Sequence, residues 1–104
     1  MNRQMKKMMA QAQKMQQGMM KAQEELAAER IEGSAGGGIV KVTVTGQSDV
    51  VGIKISAEAV DPEDVEMLED LVLAAIHDAV EKSKVVAEKK MGGVGVPGGL
   101  GGLM

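Results

Sequence analysis

Apolar residues recur through the first 29 positions at alternating spacings of four and three: Met1, Met5, Met8, Ala12, Met15, Met19, Ala22 and Leu26. That is the a/d seam of a heptad pattern held over nearly four repeats, and it predicts one long helix over residues 1–29. Met9 and Met20 widen the stripe, and Gly18 is its one interior helix-weakening residue. The period then changes to two. Val40, Val42 and Val44 alternate with Lys41, Thr43 and Thr45, and after "GQSD" the run "VVGIKIS" brings Val51, Ile53 and Ile55 to one face. These are two strands of a hairpin. Upstream, "RIEGSAG" is short and glycine-rich and reads as a weaker third strand, joined through Gly36, Gly37 and Gly38.

A second helix follows. Asp61 is placed to cap its N-terminus, with Pro62 at the first helical position and Glu63 and Asp64 complementing the helix dipole. Val65, Leu68, Val72, Ala75, Ala79 and Val86 repeat the helical spacing, with Leu71, Ile76 and Val80 beside them. From Gly92 onward "GGVGVPGGLGGLM" has no periodicity. The expected organisation is therefore a single domain over residues 1–91 and a disordered glycine-rich tail over 92–104.

Composition sharpens this picture at one point. The 104 residues include no Phe, Tyr or Trp, so no ring can anchor a core or stack on a base. A lone chain of this size would bury a thin core, which points to a homodimer. There is also no cysteine, hence no disulfide framework and no thiolate chemistry. The basic N-terminus lacks a continuous apolar stretch, and no run approaches the ~20 apolar residues of a membrane span. A cytoplasmic protein is the expectation.

Charge is divided unevenly. The net charge is −3, but residues 1–23 hold Arg3, Lys6, Lys7, Lys14 and Lys21 with no acid. From Glu58 to Glu81 there are nine acids and no Lys or Arg, and beyond them Lys82, Lys84, Lys89 and Lys90 face only Glu88. At ~100° per residue, Arg3, Lys7, Lys14 and Lys21 fall within a ~40° sector across the first helix from its apolar stripe, with Lys6 at the margin. One face is suited to packing and the other to a polyanion.

The stretch "EGSAGGGIVKVTVTG" invites a phosphate-loop reading, which its grammar excludes. A Walker loop needs G-x-x-x-x-G-K-[ST] before a helix, and a dinucleotide fingerprint needs its glycines between strand and helix. Here the glycines precede a strand. They fit a turn with positive φ together with close backbone approach.

Together, a Met/Gln/Lys-rich first helix, "EGSAGGGIVKVTVTG" and a helix carrying "MLEDLVLAAIHDAV" resemble the YbaB/EbfC family of bacterial nucleoid-associated proteins over residues 1–91. The resemblance implies an α+β fold: an α-β-β-β-α protomer with two long helices flanking a small antiparallel sheet, forming a tweezer-like homodimer. It further implies binding of double-stranded DNA and a place in the nucleoid. Arg3, Lys6, Lys7, Lys14 and Lys21 are the candidate DNA contacts on the first helix, and Lys82, Lys84, Lys89 and Lys90 on the second. Lysine contacts to phosphate are non-directional, so binding should be salt-sensitive and weakly sequence-selective.

Other chemistry has little support. His77 is the sole imidazole, so with no Cys a transition-metal site is not expected. Glu66, Glu69 and Asp70 read as a solvated helix face. Ser34, Ser48, Ser56 and Ser83 have no shared base except His77, and no hydrolytic triad follows. No enzyme, cofactor or small-molecule substrate is expected. Two other classes fit parts of the pattern: a coiled-coil-like adaptor whose acidic second helix binds a basic protein, and a peripheral membrane helix. The absence of Trp and Phe makes the latter a poor anchor, and no membrane partner is expected.

Overall fold

The computed structural model describes residues 2–92, in the order α1 (Arg3–Ala28), β1 (Ile31–Ala35), β2 (Val40–Val44), β3 (Val50–Ile55), a 3-10 turn (Ala57–Ala59) and α2 (Val65–Gly92). This is the expected α-β-β-β-α arrangement. Gly92 closes α2, and the rest of the glycine-rich tail expected over 92–104 lies outside the described residues.

Asn2 starts α1 by accepting the Met5 N–H at 2.8 Å on its side-chain oxygen, satisfying one of the donors every helix leaves open at its N-terminus. The helix ends where Glu29 turns extended, and the Arg30 guanidinium donates to the carbonyls of Ala27 and Glu29, both at 3.0 Å.

The three strands form one antiparallel sheet in the order β1-β2-β3. Gly33 lies opposite Val42, and Val42 lies opposite Ile53. The β1–β2 turn uses Gly36, Gly37 and Gly38 at φ of 63°, 74° and 101°, a left-handed run that side chains rarely adopt. The β2–β3 turn is held by Thr45, whose hydroxyl accepts the N–H groups of Gln47 and Asp49, and the ladder is bulged at Thr43/Val44.

The core lies between one face of the sheet and α2. Val40, Val42 and Val44 are fully buried with Ala59, Ala75 and Ala79, each valine contributing on the order of 2 kcal/mol. Ser83 is fully buried among them. Its hydroxyl donates to the Thr45 carbonyl at 2.8 Å and accepts from Ser48 at 3.1 Å, fastening the β2–β3 turn to the helix.

One expectation is corrected, and two apolar faces stand uncovered in the protomer. The Asp61 carboxylate is taken up by the Glu63 N–H at 3.0 Å in a turn that holds Pro62, so α2 begins at Val65 and its capping contact is Asp64 accepting from Met67 at 3.1 Å. The apolar face of β3 shares a side of the sheet with Val40 and Val42, yet Val50, Val51, Ile53 and Ile55 are exposed, because α2 packs mainly over β1 and β2. Finally, most of the α1 stripe packs against nothing in the protomer. Ala22 and Leu26 are buried, whereas Met5, Met8, Met15 and Met19 are 45–67% exposed. The result is a molecule 73 Å long and 16 Å thick, with α1 as an arm anchored at its C-terminal end.

Candidate nucleic-acid interface

The basic residues of α1 are positioned by helix geometry alone. Arg3, Lys6, Lys7, Lys14 and Lys21 are all exposed, and none of them forms an ion pair among the described residues. A helix rises ~1.5 Å per residue, so the charges from Arg3 to Lys21 extend over about 27 Å of arm. With no acid before Glu24, that surface keeps its full positive charge.

The lysines of α2 stand in different surroundings. Lys82 lies 3.0 Å from Asp78 and donates to the Glu32 carbonyl at 3.5 Å, and Lys84 is 3.6 Å from Glu81. Lys90 bridges to the other helix, 3.0 Å from Glu25 and 3.6 Å from Glu29. Lys89 is exposed without an ion pair among the described residues. Two groups titrate away from their ordinary values as a result. Asp78 is held below the usual carboxylate range, first by the Ser34 N–H that donates to it at 3.0 Å and then by Lys82. The Lys90 ammonium is held above its usual range by the hydrogen bond to Glu25, with Glu29 adding to it.

The two lysine groups thus differ in their surroundings, and the end of α2 that carries Lys90 meets the C-terminal end of α1. Those of α1 line the free arm, while those of α2 sit on the helix that covers the sheet. Two further cations were missed in the sequence. Lys41 and Lys54 lie directly opposite one another on the sheet face away from α2, at the polar positions of the two alternating strands, and Lys41 is 3.9 Å from Glu32. The strand alternation signalled their face but not their pairing.

Among the described residues no group of three His, Cys, Asp or Glu side chains is arranged to hold a metal ion, and no helix is long and apolar enough to cross a membrane. Among the described residues an open apolar trough lies on α2, lined by Leu68, Glu69, Val72, Leu73 and Ile76. Its chemistry suits a second apolar surface.

An α-β-β-β-α chain with a projecting basic helix finds close company. A nucleoid-associated protein of Pelotomaculum thermopropionicum is 51% identical over 88 residues, covering 85% of this chain and 84% of the relative. One from Rhodococcus erythropolis is 52% identical over 101 residues, covering 95% and 90%, and one from Chloroflexus aurantiacus is 51% identical over 98 residues, covering 94% and 96%. The crystal structure of the uncharacterized protein HP0035 from Helicobacter pylori superposes with a TM-score of 0.68 at 18% identity, over 86% of this chain and 91% of that one. That likeness is one of fold alone. A model of the YbaB/EbfC DNA-binding family matches residues 1–100. With the expected fold in place and relatives at half identity over nearly their whole length, the chain belongs to the YbaB/EbfC DNA-binding family.

Proposed function

We propose that this protein binds double-stranded DNA as a homodimer in the cytoplasmic nucleoid, mainly through phosphate contacts made by helix lysines, and so contributes to nucleoid organisation and gene expression. The observation that carries the reading is the arm. Five cations stand exposed along α1 with no acid within the first 23 residues and no ion pair among the described ones. A duplex offers one phosphate per ~1.7 Å of axis, and each neutralised phosphate releases condensed counterions, which supplies most of the affinity. Arg3, Lys6, Lys7, Lys14 and Lys21 are the primary contacts. Lys82, Lys84 and Lys89 are secondary, since two of these three are already matched by carboxylates, and Lys90 is taken up by Glu25 and Glu29.

The homodimer rests on uncovered apolar surface. Ile53 and Ile55 are 50% and 42% exposed on the side of the sheet that α2 covers over β1 and β2. The trough of Leu68, Val72, Leu73 and Ile76 adds apolar surface on α2 itself. A second copy related by a two-fold axis would present the same surfaces in return. The dimer carries two arms, and two arms can grip a duplex from both sides.

The test replaces Lys7, Lys14 and Lys21 by Gln, which removes charge and keeps good helix formers. Affinity should fall alike on unrelated duplexes, because phosphates carry no sequence information. The slope of log K against log salt should shrink by ~0.9 per lost contact, up to about 5 for both arms. Wild-type affinity and slope in the variant would assign the stripe to solvent. Loss on one sequence alone would replace phosphate contact with base readout.

A further inference from the structure

The arm is joined to the body over little more than its last two turns, from two directions. From the β2–β3 turn, the Gly46 N–H donates to the Leu26 carbonyl at 2.8 Å, and the Gln47 amide donates to the Gln23 carbonyl at 3.3 Å and to its side-chain oxygen at 3.0 Å. Gly46 must be bare for this. A Cβ there would lie 2.7 Å from the Leu26 side chain and 2.8 Å from its carbonyl oxygen. From α2, Lys90 Nζ reaches Glu25 and Glu29 at 3.0 and 3.6 Å, and Met91 Sδ lies 3.9 Å from the Gln23 amide. Among the described residues of the arm's apolar stripe only Ala22 and Leu26 are buried, so these contacts and two apolar anchors hold the helix.

The leverage is large. From Glu25 to Arg3 the helix runs about 33 Å, so a tilt of roughly 10° at the base moves the tip by about 6 Å. That exceeds the reach of a phosphate hydrogen bond about twofold.

We propose that Lys90, gripped by Glu25 and Glu29, is a positioning residue: it sets the angle at which the basic arm leaves the body, and is not itself a phosphate contact. The inference rests on the DNA-binding reading and deepens it. Its charge arithmetic makes it testable. The clasp joins one ammonium to two carboxylates, so it presents net negative charge close to the arm. If electrostatics alone governed binding, removing the two carboxylates would strengthen it. If the clasp aims the arm, removing them weakens it.

The experiment uses the full chain and a random duplex. E25Q/E29Q should bind several-fold more weakly than wild type, and K90Q should weaken binding with the salt slope unchanged. K90E/E25K inverts the 3.0 Å pair at constant net charge and should recover most of the affinity. Because the chain has no cysteine, Q11C/E63C can carry a spin-label pair from arm to body, diluted into unlabelled protein to isolate the distance within one protomer. That distance distribution should broaden in E25Q/E29Q and K90Q without DNA present. Tighter binding by E25Q/E29Q, a slope in K90Q reduced by ~0.9 per contact, or label distances as narrow as wild type would each overturn the proposal. Should wild type fail to bind duplex at all, the DNA reading fails by itself, and the label distances still decide the clasp.

Discussion

Replacing Gly33 by alanine is expected to push α2 off the sheet. Gly33 sits in the middle of β1, and a Cβ there would lie 2.2 Å from the Ala79 backbone nitrogen and 2.6 Å from the Ala75 carbonyl oxygen and the Ala79 Cα. Ordinary contact begins near 3.4 Å, so helix and strand must separate by about 1 Å. The atoms met belong to helix backbone, so no rotamer change relieves the clash. Separation also loosens Ala75 and Ala79 from Val40, Val42 and Val44, the fully buried core. Overpacking of this kind costs about 1–3 kcal/mol, and rigid neighbours place it at the upper end. An opposing gain of about 0.5–1 kcal/mol comes from replacing glycine inside a regular element. The clash wins, leaving about 2 kcal/mol of destabilisation, which for a domain near 100 residues lowers Tm by roughly 8–16 °C. Thermal unfolding followed by circular dichroism reads this directly. Gly52 provides the control: a Cβ there has its nearest neighbour at 3.9 Å, on Thr43, so G52A should be neutral or stabilising. A G33A protein melting within ~2 °C of wild type, or G33A and G52A behaving alike, would refute the reasoning.

Two further outcomes follow from the same contacts. I53K places charge on the uncovered face of β3 where the proposed dimer forms; sedimentation equilibrium should give the wild type twice the 10.9 kDa chain mass and the variant a folded single chain, and a wild type that stays at the single-chain mass at micromolar concentration would refute the dimer. Asp78 supplies a pH signature: its folded pKa is lowered by Ser34 and Lys82, so its stabilisation is present above the ordinary carboxylate range and lost as pH falls through the lowered value. The stability gap between wild type and D78N, measured by urea unfolding, should therefore be full near about pH 7 and close as pH falls through that lowered value; a gap independent of pH would assign Asp78 no such role.

Local pattern determined a good deal of this protein before any fold was in view. The heptad run of methionines, the alternation of Val40, Val42 and Val44 and the glycines at 36–38 are signals read within a few residues, because helix period, strand period and positive φ are local properties of the backbone. They sufficed for the element order, and the acid-free first 23 residues marked the candidate surface. Choices between neighbouring local options were less legible. Asp61 and Asp64 are both able to cap a helix, and the start of α2 was decided by Asp61 engaging Glu63 in the preceding turn. Coverage was not legible at all. The period-2 pattern assigns Ile53 and Ile55 a face, but only the placement of α2 over β1 and β2 leaves that face bare. Long-range contact decided the rest. Gly33 is glycine because α2 crosses it more than forty positions later in the chain, and Lys90 became a clasp because folding brought it to Glu25 and Glu29. A charge in sequence has a sign and a spacing. Its partner belongs to the tertiary structure, since an ion pair depends on distance through space, which the order of residues along the chain leaves open.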